Sequence, residues 1–382
     1  MTRKGPGPIP GGYVLWFGWK FVIVLSMVLC VVALFQLHFH DDIASPNSLS
    51  FAGTGSRIFE DNFDGNPKIA FLFLVRQDLP LDFLWGNFFE NADIGSFSIY
   101  IHSEPGFVFD ESTSRSHSFY DRQLTNSIEV AWGESSMIEA ERLLLGAALK
   151  DPENQRFVLL SDSCVPLYNF SYIYKYLMAS QRSFVDSFLN VKGSRYSPKM
   201  SPVIQKDKWR KGSQWISLVR SHAQVVVDDE IVFPVFKKLC KRRPPVDASK
   251  GKLNMKLQKQ HNCIPDEHYV QTLFAINELE GELERRTLTY TLWNQSAIKT
   301  QNNWHPVTFG YGDADLQHIK EIKAINHVYY ETEFRTEWCR TNSTLVSCFL
   351  FARKFSRGAA MRLLGEGVVG PFEFSALMDS HP

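Results

Sequence analysis

The sequence has no excess of either charge. Lysine plus arginine and aspartate plus glutamate number 41 each among 382 residues, so no global field draws the chain to nucleic acid or to an anionic membrane. It has no Cys-x-x-Cys pair and no His-x-x-x-His spacing, which removes the usual zinc signatures. It has no phosphate-cradling P-loop and no internal repeat. Cysteine is scarce, at six residues. What remains is an apolar and aromatic chain. Its 44% apolar residues suffice for one large core or two modest ones, and its 14% aromatics, with 30 Phe and 9 Trp, fit a dense α/β core or faces for sugar rings.

One long apolar run stands out. Phe21 to Leu37 carries no charge, and Tyr13 to Trp19 extends it across the single Lys20 to a bilayer-spanning length. Arg3 and Lys4 precede it, and Asp41 and Asp42 follow it. The positive-inside rule then predicts a signal anchor at 13–37, a cytosolic tail at 1–12 and a type II orientation with the body across the membrane. A cleavable signal peptide is the weaker reading, because no small-residue cleavage site ends the run. Residues 38–67, rich in Ser, Gly, Asn and Asp, read as a stem. Cys30 lies in the span, leaving Cys164, Cys240, Cys263, Cys339 and Cys348 for up to two disulfides and one free thiol. The sequence does not choose the pairing, although the short loop from Cys339 to Cys348 could close on itself. Acceptor sequons stand at Asn169, Asn294 and Asn342.

Residues 68–365 read as one domain, with a tail at 366–382. The run Lys68 to Val75 has the mark of a strand buried on both faces. Ser96 to His102 alternates like a strand, Ile128 to Ala131 is a candidate third, and Arg156 to Ser161 is another short buried one. Ser183–Leu189 and Ser213–Val219 add two more. Ser136-Met-Ile-Glu139 predicts a capping box opening a helix with a stripe at Met137, Ala140, Leu144 and Ala147. The alternation predicts a mostly parallel sheet with helices on both faces. Ligands of such sheets bind beyond the carboxyl ends of the strands, where His102–Pro105, Trp132–Gly133 and Asp162–Pro166 would gather. Lys237-Lys238 and Lys241-Arg242-Arg243 read as a solvated basic loop.

From Gln258 to Phe274, Tyr269, Val270, Leu273 and Ile276 keep helical spacing, and Asp266 after Pro265 stands where an N-cap should. Glu267 would then occupy the first helical turn, a carboxylate at the mouth of a helix that could take a proton from a hydroxyl. The helix dipole lowers the pKa of such a group, whereas a good base wants it raised, so burial would have to offset the dipole.

Trp132-Gly133 before a long helix, Arg156 to Pro166, Lys211-Gly-Ser-Gln-Trp215, Pro265-Asp-Glu-His-Tyr269 and Cys348 to Phe355 recur in this order. The ordered set resembles the core-2/I-branching β-1,6-N-acetylglucosaminyltransferase family (glycosyltransferase family 14), in its land-plant branch, over about Lys68 to Leu364. The resemblance implies a GT-A-like fold and an inverting, Golgi-resident type II enzyme. Such an enzyme moves a sugar from a UDP donor to a glycan acceptor and needs no metal or other cofactor.

Carried over by motif, the base falls on Glu267. The lysine of the diphosphate clamp falls on Lys354, and its arginine on Arg340, with Arg335 and Arg353 open as alternatives. Glu104 falls where the family has an acidic residue contacting uridine. Trp215 and Trp293 are candidates to stack on the acceptor sugar. Ser161-Asp162-Ser163 lacks the second carboxylate of an Asp-x-Asp motif, and Asp162 alone is a poor metal cage. N-acetylglucosamine is the donor sugar the family implies, with glucuronic acid and a cell-wall polysaccharide or proteoglycan acceptor as the alternative. A non-catalytic, membrane-anchored carbohydrate-binding protein is the rival class.

Overall fold

The computed structural model describes residues 63, 65–90, 92–191, 195–242, 263–293, 306–341 and 343–368, all within the unit Arg57–Pro382. The expected tail and anchor at 1–37 lie outside the described residues, as do most of the stem and of the C-terminal tail, and the sequons at Asn294 and Asn342. Among the described residues no helix is long and apolar enough to cross a membrane.

The chain opens with β1 (Lys68–Leu74), α1 (Asp82–Glu90), β2 (Phe97–His102), α2 (Ser135–Ala148) and β3 (Asn154–Ser161). It continues through β4 (Val165–Pro166), α3 (Phe170–Ala179), β5 (Ser183–Phe184), β6 (Phe188–Leu189), β7 (Arg210–Lys211) and β8 (Ser217–Val219). Next come α4 (Arg220–Asp228), α5 (Val232–Leu239), α6 (Tyr269–Ile276), β9 (Leu283–Glu284), β10 (Thr289–Thr291) and α7 (Leu316–Ala324). Two hairpins follow, β11 (His327–Tyr330) with β12 (Arg335–Trp338) and β13 (Arg340–Thr341) with β14 (Thr344–Leu345), then β15 (Phe351–Arg353) and α8 (Arg357–Gly365). The central sheet runs β2-β1-β3-β8-β5-β9. β1 pairs parallel with β2 and β3, and β5 with β9, while β8 runs antiparallel to both its neighbours. This is a mixed α/β architecture with a mostly parallel sheet.

The period-two alternation of β1 explains the two layers. Ile69, Phe71 and Phe73 enter a core with Trp85, Phe88 and Phe89 of α1, Phe170 and Leu177 of α3 and Leu363 of α8. Ala70, Leu72 and Leu74 enter the opposite core with Leu144 and Leu145 of α2, Val226 of α4, Phe236 of α5 and Leu273 of α6. Phe71 is fully buried among rings, with its centroid 5.1 Å from Phe89, 5.9 Å from Phe88 and 6.2 Å from Trp85.

Several local expectations are corrected. Ile128–Ala131 joins no strand; it runs extended past the sheet, with the Ile128 amide donating to His102 Nε2 at 3.1 Å. The helix with the proposed capping box begins two residues earlier, with Glu134 rather than Ser136 as its N-cap and no side-chain capping bond. Ser136 Oγ instead accepts from the Ala131 amide at 3.0 Å, and Glu139 pairs with Lys237 at 3.0 Å. Its buried stripe includes Ile138, Ala140, Leu144, Leu145 and Ala148, and Met137 turns toward the cleft. Ser183–Leu189 breaks into β5 and β6, and Ser213–Val219 shortens to β8. The disulfides are Cys240–Cys263 and Cys339–Cys348, with Cα separations of 4.9 and 5.2 Å, and Cys164 is a buried free thiol.

Phe71→Ala removes the ring on which three other rings of this core close. It is expected to cost about 3–5 kcal/mol, read as a lower urea midpoint at unchanged slope; a midpoint within error of wild type would contradict this account of the core.

Candidate active site

Register places the site. Leu74 stands opposite both His102 and Ser161, so β1, β2 and β3 end at one level. Beyond those ends lies a cleft of about 1540 Å3. Small-molecule sites usually enclose about 300–1,000 Å3, so this cleft has room for two substrates at once.

At the strand ends the wall carries Arg76, His102, Glu104 and Asp162, joined by Arg353 and Lys354 at the end of β15. β15 is held there by β10 on one side and β4 on the other. Arg353 lies over the indole of Trp215, with its guanidinium carbon 4.3 Å from the ring centroid, and its Nε is buried without a hydrogen-bond partner. Burial pushes the pKa of both cations down, and the charge of Arg353 adds to the effect on Lys354. Burial also pushes the Cys164 thiol up, against the nearby charge of Arg353.

Glu267 also lines the cleft. The α-helix does not begin at Asp266 as expected. Pro265–Glu267 is a 3-10 turn, and α6 starts at Tyr269 with His268 as its N-cap. The cause is His268, which is buried and stacked on Trp209 at 4.5 Å. Burial drives its pKa down to about 3, so the neutral ring donates Nδ1–H to the Arg210 carbonyl at 2.6 Å. Glu267 thus precedes the helix rather than occupying its first turn. Its carbonyl accepts from the Gly212 amide at 2.9 Å. Gly212 must be glycine, because a Cβ there would stand 1.7 Å from the Asp186 carbonyl oxygen. The Glu267 carboxylate is 22% exposed and holds Arg195 and Lys211 on Oε2, the latter at 3.5 Å.

Three further acids lie in or near this turn. Asp266 has a buried Oδ1 with no hydrogen-bond partner, and burial, followed by the charge of Glu267, lifts its pKa to about 7. Glu141 of α2 accepts from Gln214 Nε2 at 2.7 Å, and burial raises its pKa well above the usual range. Asp186 accepts from Tyr330 Oη at 2.6 Å and from the Ser213 amide at 2.9 Å, and burial raises it too.

Of the residues singled out in the sequence, Glu267, Lys354, Arg353, Glu104, Trp215 and Trp293 line this one cleft. Arg340 does not line it; it is exposed on β13. Arg335 is also turned away, its guanidinium bound to Glu333, Glu337 and the Ser187 carbonyl. Trp293 is 48% exposed, whereas Trp215 is 7% exposed and has one face against Arg353. Asn169 caps α3, its Oδ1 accepting from the Tyr172 amide at 2.9 Å. Arg242, read as part of a solvated loop, reaches the cleft rim and lies 3.8 Å over Trp132. Arg76, Arg195, Lys211 and Asp266 line the cleft without a site role legible in the sequence, although Lys211 and Asp266 sit inside the Lys211–Trp215 and Pro265–Tyr269 motifs. Among the described residues no group of three or more His, Cys, Asp or Glu side chains could hold a metal ion.

A cleft lined by a carboxylate and by the adjacent cations Arg353 and Lys354 suits group transfer from a phosphate-bearing donor. The chain belongs to the Core-2/I-Branching enzyme family, whose sequence model matches residues 69–323, and it is a glycosyltransferase. It is 54% identical over 305 residues to Glycosyltransferase BC10 of Oryza sativa subsp. japonica, covering 78% of this chain and 76% of that protein.

Asp266 yields a pH prediction. A carboxyl whose folded pKa exceeds its unfolded value of about 3.9 binds more protons when folded, so its contribution to stability is lost as pH rises from about 4 through 7. Asp266→Asn is expected to melt a few degrees above wild type near about pH 8 and to lose most of that advantage near about pH 5. Equal differences at the two pH values would show that Asp266 is already ionised at the lower one.

Proposed function

We propose that this glycosyltransferase is an inverting, metal-independent enzyme of GT-A-like fold that moves N-acetylglucosamine from a UDP-sugar to a glycan acceptor. One observation carries the reading: Glu267 and the Arg353–Lys354 pair line the same cleft. The acceptor hydroxyl attacks the anomeric carbon and its proton passes to Glu267. Arg195 and Lys211 both hold Oε2, which leaves Oε1 for that proton. The bond from the anomeric carbon to the diphosphate oxygen breaks, and UDP departs with the electron pair, its charge met by Arg353 and Lys354. Arg353 takes the clamp position first assigned to Arg340, and Arg76 adds a third cation at the same strand ends. Asp162 stands between serines with these cations in its field, an arrangement that favours a phosphate over a divalent cation. Glu104 would meet the uridine, and the exposed Trp293 would meet the acceptor ring.

Residues 13–37 would anchor the chain as a type II protein of the Golgi membrane with this domain in the lumen. The two disulfides support an oxidising compartment, and the sequons would then be open to glycosylation.

Glu267→Gln in the full-length chain, purified in mild detergent, is expected to keep UDP affinity within about twofold and to lower transfer by about 100-fold or more. Equal transfer by both proteins would remove Glu267 as base. UDP release is expected to survive EDTA; activity lost to EDTA and restored by manganese would make Asp162 a metal ligand. Comparing UDP-N-acetylglucosamine with UDP-glucuronic acid as donors decides the sugar, and UDP binding without turnover on any glycan would favour the carbohydrate-binding reading.

A further inference from the structure

Trp215 looks, by residue type, like a platform for a sugar. Its surroundings assign it elsewhere. Only 7% of the residue is exposed, and the Arg353 guanidinium carbon lies over the indole, 4.3 Å from its centroid. Besides the indole, the guanidinium meets the Cys164 thiol, to whose sulfur it donates a hydrogen bond; Nε has no hydrogen-bond partner, and Asp162 and Asp266 act on it through charge.

The backbone ties the two residues together as well. Thr287 Oγ1 donates to the Trp215 carbonyl at 2.7 Å and accepts from the Thr289 amide at 3.1 Å. Thr289 opens β10, whose last residue, Thr291, is in register with Arg353. The loop bearing the indole and the strand bearing the guanidinium are therefore joined through one threonine hydroxyl. Stacking has a particular merit here. It holds an arginine by its face and leaves the N–H donors at its edge for a phosphate, which an ion pair to a carboxylate would not do.

We propose that Trp215 is a positioning residue for the donor diphosphate, the floor on which Arg353 lies, rather than a stacking surface for the acceptor sugar. This rests on the reading of Arg353 as a diphosphate ligand. The residue acts through Arg353, so its removal must appear in donor binding and not in acceptor binding.

The test measures UDP affinity by calorimetry, and donor and acceptor KM by UDP release, on the full-length chain in detergent. Variants are Trp215→Leu, Trp215→Phe, Arg353→Gln and the Leu/Gln double. Trp215→Leu is expected to weaken UDP about tenfold, and Trp215→Phe about threefold because benzene is the weaker cation–π partner. Acceptor KM is expected to stay at the wild-type value in both. In the Arg353→Gln background, Trp215→Leu is expected to weaken UDP no further, because the group it positions is gone. If Trp215→Leu does not fold, the Phe variant carries the same comparison. A raised acceptor KM with UDP affinity unchanged, or losses that multiply in the double variant, overturns the proposal. If Arg353→Gln itself leaves UDP affinity intact, the clamp reading falls; if Arg353→Gln weakens UDP and neither Trp215 variant does, only the positioning role falls.

Discussion

The parallel register of β1 with β2 and β3 is the constraint on which the site depends. Large side chains on one face of β1 (Ile69, Phe71, Phe73) and smaller or slimmer ones on the other (Ala70, Leu72, Leu74) fit two differently packed layers. A slip of one residue would exchange the faces and force phenylalanines into the positions that Ala70, Leu72 and Leu74 fill. Because the register cannot slip, Leu74, His102 and Ser161 end together. The residues just beyond them, Arg76, Glu104 and Asp162, then come to the cleft together, with the Glu104 amide donating to the Arg76 carbonyl at 2.9 Å. The ladder positions the polar ends.

The part of the cleft that carries Glu267 is built by a different device. There the sheet turns antiparallel at β8, and the chain approaches the cleft through close backbone contacts rather than long ladders. Gly212 lies against the carbonyl of Asp186, and its amide holds that of Glu267. His268 behind them is neutral, buried and bound to a carbonyl. The turn carrying Glu267 is thus held by its backbone, which frees its carboxylate to answer to Arg195 and Lys211. Opposite charges about 4 Å apart attract by about 1 kcal/mol in water and about 4 kcal/mol where the effective dielectric is near 20. A chain with no net charge still concentrates both signs in one half-buried cleft, where each charge counts for more.

Much of this was legible in the sequence, for reasons that can be named. β1 shows as an apolar run because it is buried on both faces, and the short cysteine loop at Cys339 closes because nine residues leave it little freedom. The cluster at the strand ends follows from the general rule for α/β sheets. What failed were inferences from local pattern where a distant partner decides. Ser136 matches a capping box, but its hydroxyl is taken by the amide of Ala131. Asp266 matches an N-cap, but packing of His268 on Trp209 delays the helix. Arg195 reaches Glu267 from 72 positions upstream, a pairing without local signature. Arg340 and Arg353 are both basic residues near the chain end; only the ladder with β10 and β4 distinguishes the one that faces the cleft from the one on an exposed hairpin.

On the proposed reading, Arg353 and Lys354 form an anion site prepared before its anion arrives. Burial strips water from both, and each lies in the repulsive field of the other, so both are held less favourably than in solvent. Asp162 relieves part of that repulsion but cannot cancel two cations, and Arg76 adds to it. An incoming diphosphate would remove the repulsion and replace the lost hydration at once, and a diphosphate gaining charge as its sugar departs would do so more fully. On the same reading a divalent cation beside Asp162 would also meet the three positive charges of Arg76, Arg353 and Lys354, which disfavours it. Fixed cations of this kind need their geometry set beforehand, because a long side chain that must first be ordered gives back in entropy what it gains in contact. The stacked guanidinium meets that requirement, and its ammonium neighbour, on a backbone held by Phe309 and Val307, needs less orientation because a point charge has no plane to align.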